Sequence, residues 1–441
     1  MEAGLQGEIP LPELGTRARS TNIRWVVCAL LFFATTINYV DRQILSLIKE
    51  MLDKELGWTN AQFGFANSLF QIAYGLSFIG FGWFIDRFGT KIGYAVSIAM
   101  WSIAAGAHAL VGSVNGFYVA RLGLGAGEAG NFPSAIKATA QWFPKRERAF
   151  ATAIFNSGAS VAAVLAPMTV PFLALKWGWH STFLIAGAAG FIWVIFWWIF
   201  YEIPERHRSI NEAERAHILS DRDEAEQERK VPWGDILGYR QAWSFIVAKL
   251  LTDPVWWFFL IWLPDFFKKT RGLDIKNSYA HLATIYAIIT VLSIFGGWLP
   301  GSLIKKGWSV TGARKLSMLI FAFCVMPIFF VTQAESIWVA VALIGIAGAA
   351  HQAWSANLFT TVSDMFPKSA VASVTGLGGL AGSAGGFVFP ILTGMLLDSY
   401  ERAGNATPGY HILFTICASA YIIAFVFHHL LAPRFQQIEL K

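Results

Sequence analysis

The chain has 441 residues, of which 55% are hydrophobic and only 14% charged, with 37 Phe, 19 Trp and a net charge of +6. Soluble domains carry about 25% charged residues, so this chain lacks the polar surface of a soluble enzyme, a secreted disulfide scaffold or a disordered chain. At roughly 20 apolar residues per membrane span, it has room for twelve spans, short loops and one longer loop.

In chain order, residues 1–23 read as a polar tail without a secretory signal. Apolar runs and their breaks then predict helices over 24–52, 59–85, 91–111, 115–142, 147–175 and 180–201. Thr59 with Gln62 reads as a capping box opening the second of them. A polar stretch follows at 203–240, dense in charges of both signs, and its 211–229 portion has the composition of an amphipathic surface helix. Six more helices are predicted over 241–269, 277–304, 312–333, 336–366, 370–399 and 409–431, ending in a tail at 433–441. The fold class is therefore an all-α integral membrane protein. Two six-helix bundles, 24–202 and 241–432, are joined by a linker at 203–240.

Orientation follows from the positive charges. Arg17, Arg19, Arg24, Arg87, Lys91, Lys145, Arg146, Arg148, Lys305, Lys306, Arg314, Lys315 and Lys368 fall on one side, together with the linker. That side is expected to be cytoplasmic, with both termini inside a bacterial inner membrane. Lys268, Lys269, Arg271 and Lys276 fall on the other side and are the exception. Cys28, Cys324 and Cys417 lie far apart in apolar runs and read as small hydrophobic residues. There is no metal spacing, no nucleic-acid module and no catalytic cluster.

The halves repeat at an offset of about 224 residues. Phe143-Pro144-Lys145 matches Phe366-Pro367-Lys368, and Asp41 aligns with Asp265. Membrane carriers built from repeats bind substrate between the halves, near the midplane.

The strongest short motif is Gly82-Trp83-Phe84-Ile85-Asp86-Arg87-Phe88-Gly89-Thr90-Lys91. A helix ends, turns through Gly89 and restarts, with Asp86 placed to cap a neighbouring helix end. This resembles the cytoplasmic loop motif of the major facilitator superfamily between its second and third helices. It reads as a gate latch, or else as a static determinant of topology.

Charges inside spans are costly and call for an explanation. Asp41 and Arg42 interrupt the first predicted span; Arg121 and Glu128 lie two turns apart in the fourth, among Gly123, Gly125, Gly127 and Gly130. Either Asp41/Arg42 and Arg121/Glu128 neutralise each other, or the arginines take a substrate carboxylate and the carboxylates carry protons. The second half has Phe266 where the first has Arg42, so charge chemistry reads as concentrated in the first half. The tenth span offers His351, Gln352, Trp354, Ser355 and Asn357 instead, with Gln352 and Asn357 as candidates to face a cavity and His351 as a packed residue. Trp256, Trp257 and Trp262 either line the site or pack. Asp253, before Pro254, reads as a local cap, a proton site or a neighbour of a polar crevice. The glycines from Gly378 to Gly386 read as a helix-contact stripe rather than a phosphate loop.

Taken together, twelve spans, Asn38-Tyr39-Val40-Asp41-Arg42, Arg121 to Glu128 with Phe132-Pro133, and Trp142-Phe143-Pro144-Lys145-Arg146-Glu147-Arg148-Ala149 resemble the anion:cation symporter family of that superfamily, over about residues 20–435. The run from His351 to Leu358 looks like its hexuronate transporters. The resemblance implies proton coupling through Asp41 and Glu128, with Arg121 acting on them, and substrate contacts from Tyr39, Arg42 and Tyr74. A glutamine that galactonate-type relatives use is Ala159 here, and an asparagine is Gly379, so the sugar hydroxyls need other partners. Asn156, Ser157, Trp257, Gln352 and Asn357 are the candidates, and Gly82, Asp86, Arg87, Gly89 and Lys91 form the gate. The expected function is a proton-coupled importer of hexuronates. It needs no cofactor beyond the proton, works as a monomer in lipid and binds no nucleic acid. The alternatives are a carrier of another organic anion (aldonate, glucarate or aromatic acid), sodium coupling, or a non-transporting sensor.

Overall fold

The computed structural model describes residues 21–220 and 233–438; Arg17, Arg19 and the 221–229 part of the expected surface helix lie outside the described residues. The N-terminal half runs α1 (Ile23–Leu47), α2 (Lys49–Leu56), α3 (Asn60–Phe88), α4 (Thr90–Ala107), α5 (Val114–Glu128), α6 (Asn131–Trp142), α7 (Lys145–Trp177) and α8 (Trp179–Phe200). The linker holds α9 (Glu212–Leu219) and α10 (Trp233–Ile236). The C-terminal half runs α11 (Arg240–Arg271), α12 (Ile275–Leu292), α13 (Phe295–Lys305), α14 (Val310–Val325), α15 (Ile337–Met365), α16 (Lys368–Arg402) and α17 (Thr407–Leu431).

Among the described residues, eleven helical segments are long and apolar enough to cross a membrane. The fourth predicted span is also helical, but it breaks between Glu128 and Asn131 into α5 and α6. The first predicted span breaks at Ile48, where the apolar run gives way to the charged α2. The eighth breaks between Leu292 and Phe295. The ninth tightens into a 3₁₀ turn at Met326–Phe330, where Pro327 has no N–H to continue the α-helical ladder. The predicted capping box at Thr59 and Gln62 is present.

Gly89 (φ 85°) and Gly307 (φ 89°) make the tight turn at the same place in each half, a backbone conformation that suits glycine. The turn at Gly307 directly follows Lys305 and Lys306, so the second half keeps the glycine and positive charge at this turn and has Ile304 where the first half has Asp86.

The linker is tied to the first half. Asn211 caps α9, and Glu214, fully buried, accepts hydrogen bonds from Thr21 Oγ1 (2.6 Å), the backbone N–H groups of Ile23 and Arg24 (3.0 and 3.1 Å) and the Arg24 guanidinium (3.2 Å). A carboxylate at this position satisfies the free donors at the start of α1 and complements its dipole.

The halves meet where α3 packs on α16, α7 on α12, and α1 and α2 on α11. Ser68 Oγ donates to the Phe387 carbonyl, 2.5 Å away. The heaviest ties lie on the face opposite the chain ends. Lys49 bridges Asp53 (2.7 Å) and, across the halves, Asp265 (2.9 Å). Lys269 reaches Asp265 (3.1 Å), Asn60 (2.8 Å) and Glu401. Asp398 on α16 accepts from the backbone N–H groups of Asn60 and Ala61 and so caps α3 (2.8 and 2.9 Å). Glu50 on α2 accepts from the Ile275 N–H at the start of α12 (3.1 Å) and pairs with Lys268 (2.9 Å). Each half therefore caps a helix of the other. Lys268 and Lys269, exceptions in the charge pattern, are the partners of these carboxylates.

Burial works against the charged form of Glu50, but hydrogen bonds from Lys268, Lys54 and the Ile275 N–H hold its carboxyl below the usual carboxylate range. When the face opens, the group loses Lys268 and the Ile275 N–H, keeping only Lys54 of its own helix, and moves back toward about 4.3. A lowered value means that its contribution is full above the ordinary value and is lost as pH falls through the lowered one. Only the thiolate is alkylated, so the rate at Ser46→Cys, which lines the cleft beside Glu50, is taken relative to a free thiol at the same pH; that ratio is expected to stay low from neutral pH down to about 4.3 and to rise only below that. A rise near pH 6 would count against Glu50 as the controlling group.

Candidate functional site

Where the halves meet at mid-depth, a small cavity is lined by Tyr39 and Arg42 of α1, Asn67, Phe70 and Gln71 of α3, Arg121 of α5, and Trp257, Leu260 and Ile261 of α11. Its volume is about 10 Å³, room for about one water molecule. The site is thus closed around its own side chains.

Arg42 is the centre of it. Nε donates to Glu128 Oε2 at 2.5 Å, and neither side chain is more than 6% exposed. The guanidinium lies 4.7 Å from the ring centres of both Tyr39 and Tyr74, and 5.4 Å from that of Phe70. Arg121 donates to Asn67 Oδ1 (2.9 Å) and lies 4.6 Å from the Phe70 ring centre. Faces of aromatic rings attract such cations, most strongly away from water. Sequence spacing suggested the pairs Asp41/Arg42 and Arg121/Glu128; the structure instead pairs Arg42 with Glu128.

The break after α5 positions Glu128. Ser97 of α4 donates to the Gly127 carbonyl (2.8 Å), and Tyr94 donates to Asn131 Oδ1 (2.6 Å). These bonds take up polar groups on either side of the break.

Several buried polar atoms around Arg42 have no hydrogen-bond partner among the described residues: both oxygens of Asp41, both side-chain polar atoms of Asn38, Arg42 Nη2, Arg121 Nε and Glu128 Oε1. Such groups are rare in folded proteins and call for a specific role.

Tyr39, Arg42, Arg121 and Trp257 are thus brought together at the cavity, with Glu128 and Tyr74 against Arg42 and Asp41 buried beside it. Other candidates stand elsewhere. Asn156 and Ser157 of α7 are exposed, and Ser157 Oγ donates to the Ile154 carbonyl (2.6 Å). Asn357 is buried and donates to the carbonyls of Gly296 (2.7 Å) and Ala353 (2.8 Å), joining α15 to α13. Gln352 is half-buried on α15 and does not line the cavity. His351 stacks on Trp256 and bonds the Tyr421 hydroxyl (2.5 Å), a packed residue as expected.

In the loop motif, Gly89 makes its turn, but Asp86 does not cap a helix. Its carboxylate pairs with Lys137 of α6 (2.8 Å), which also donates to the Ile85 carbonyl (3.0 Å). Lys91 pairs with Glu202 (3.1 Å), and Arg87 is exposed. These partners all belong to the first half. Gly82 is half-buried, with open space where a side chain would stand.

Sequence reading missed Asn67 and Gln71. With Tyr74 they are spaced by four and three residues, one face of a helix, and that polar stripe in an apolar span was the available signal.

The family model described as Major Facilitator Superfamily matches residues 31–390. The chain belongs to the major facilitator superfamily. Its members are membrane transporters rather than enzymes. Within this superfamily, the hexuronate transporter of Escherichia coli K12 is 32% identical over 403 residues, covering 90% of this chain and 91% of the relative. The probable galactarate/D-glucarate transporter GudP of Bacillus subtilis 168 is 28% identical, covering 96% and 95%. The galacturonate transporter of Dickeya chrysanthemi is 30% identical, covering 68% and 88%. Among solved structures, a bacterial homolog of the human lysosomal transporter Spinster, in an inward-facing and occupied conformation, aligns with a TM-score of 0.76 at 18% identity, covering 95% of this chain and 98% of that one. That likeness shows the facilitator fold.

Proposed function

We propose that the chain is a proton-coupled symporter that imports sugar acids, most specifically hexuronates such as glucuronate and galacturonate, by alternating access across a bacterial inner membrane. Both termini are cytoplasmic in this reading, and the protein works as a monomer surrounded by lipid, with the proton as its coupling ion. The observation that carries it is Arg42, buried between the halves and paired, among the described residues, with one carboxylate, Glu128. The relatives named for hexuronates and galacturonate support the choice of substrate.

A guanidinium binds one carboxylate through two parallel hydrogen bonds. Glu128 occupies Arg42 in the closed site, so a substrate carboxylate must take its place. A proton on Glu128 removes the competitor, which ties substrate binding to proton uptake. Asp41 is the second proton group. An unpaired carboxylate in such a place is costly, and its neutral acid far less so. Arg121 biases both groups by its charge, Tyr39 and Tyr74 shape the slot around the substrate carboxylate, and Trp257 covers the sugar ring from the other half. With the face opposite the termini tied shut, the site opens next toward the termini, where the Asp86–Lys137 loop moves with the first half.

The test is uptake of labelled glucuronate into proteoliposomes with and without an inward proton gradient. Galacturonate, galactonate, glucarate and glucose serve as competitors. Accumulation that needs the gradient and is blocked by galacturonate, but not by glucose, supports the reading. Blocking by glucarate alone moves the substrate to the dicarboxylic sugar acids. Glu128→Gln is expected to abolish gradient-driven accumulation while sparing exchange of labelled for unlabelled substrate. Equal loss of both would remove Glu128 from the coupling step.

A further inference from the structure

The second half holds a charged pair that the central site does not use. Lys249 and Asp253 lie one turn apart on α11, Nζ to Oδ2 2.7 Å, inside an apolar span. Their side chains are 8% and 19% exposed. An intramembrane ion pair is costly to bury, and apolar residues of the same volume hold a fold as well or better. Stability alone does not account for it.

Its placement points to a ligand. Phe245, Lys249, Asp253, Trp257 and Ile261 follow one another at single-turn spacing along α11, and the last two line the central cavity. The α16 glycines accompany them: Gly378 leaves room for Phe245, Gly382 for the Asp253 carboxylate and Gly386 for Trp257. From Trp257 to Lys249 the stripe runs about 12 Å, at 1.5 Å per residue, toward the face that bears the chain ends. The Lys249 ammonium has three donors, and Asp253 is the acceptor described for it. On another side lies the Phe359 ring, centre 4.6 Å away. Arg42 in the first half is built alike: a cation, one carboxylate, and aromatic rings.

We propose that Lys249 is a second carboxylate-binding site, met by the sugar acid on its way from the central cavity to the terminus-bearing face, and that Asp253 occupies it until the substrate displaces it. This rests on the sugar-acid reading above. Lys249 then receives the anion that Arg42 releases, and Asp253 returns it by competing for the same ammonium.

The experiment measures the KM for glucuronate exchange separately from each face of oriented proteoliposomes. Asp253→Asn frees Lys249, so the KM on the terminus-bearing face is expected to fall about tenfold, with the opposite face unchanged. Lys249→Met raises the KM on that same face by a similar factor, and Lys249→Arg keeps it near that of the wild type. The double variant Lys249→Met/Asp253→Asn leaves no unpaired charge, so it is the safeguard against misfolding. It is expected to behave as Lys249→Met. If the double variant matches the wild type, or the single variants shift both faces equally, the pair is structural and the proposal is overturned. A wild type that exchanges no glucuronate overturns the functional reading and this site with it.

Discussion

Arg42→Met is expected to cut glucuronate uptake and exchange more than a hundredfold. The substrate loses its guanidinium, and Glu128, fully buried, loses its only described partner. Removing one member of a buried pair costs about 3–5 kcal/mol, and each 1.4 kcal/mol is about a factor of ten in binding. Arg42→Lys is expected to fall nearly as far, because an ammonium cannot reproduce the planar fork that meets a carboxylate. Adding Glu128→Gln to Arg42→Met restores charge balance. It should therefore recover thermal stability in detergent without recovering transport, and recovery of transport would show that Arg42 only holds Glu128.

The second large effect concerns the closed face. Lys49 is 3% exposed and joins Asp53 to Asp265. Lys49→Met leaves Asp265, among the described residues, with Lys269 and the Tyr410 hydroxyl. A loss of about 3 kcal/mol is confined to the conformer in which the halves touch here, so it moves the balance between conformers about a hundredfold. Alkylation of Ser46→Cys from that face is expected to accelerate accordingly, and uptake to slow as the carrier lingers open. Unchanged alkylation would show that the caps from Glu50 and Asp398 close the face without Lys49.

The membrane spans were legible in the sequence because lipid leaves so little choice. Long apolar runs must be helices, and a charge inside one must have a reason. Arg42, Glu128, Asp41 and Arg121 stood out on that ground, as did Gly89 by its motif. What the sequence hid is partnership. The Arg42–Glu128 bond joins residues 86 positions apart, and nothing in either neighbourhood prefers it to the pairs suggested by proximity. Asp86 looked like a cap and pairs with Lys137 because α6, freed by the break at Gly130, brings a lysine to it. Charge seemed to belong to the first half, yet Lys249 lies in an apolar stretch with its partner four residues on, and single letters inside a long span are easily passed over. Asn357 has the chemistry to bind sugar hydroxyls, but its amide donates to Gly296 of α13 and to Ala353 of its own helix.

The reciprocal caps bear on how this protein can be recombined. Glu50 finishes a helix of the second half and Asp398 a helix of the first, so neither bundle is a complete module. A hybrid joining residues 1–220 to the second bundle of a relative keeps Glu50 but forfeits Asp398, and the reverse hybrid forfeits the other. Compatible parents for half-exchange are those with an acidic side chain at both places, whatever their identity elsewhere, because the junction that matters is written in two carboxylates far from the point where the chains are spliced.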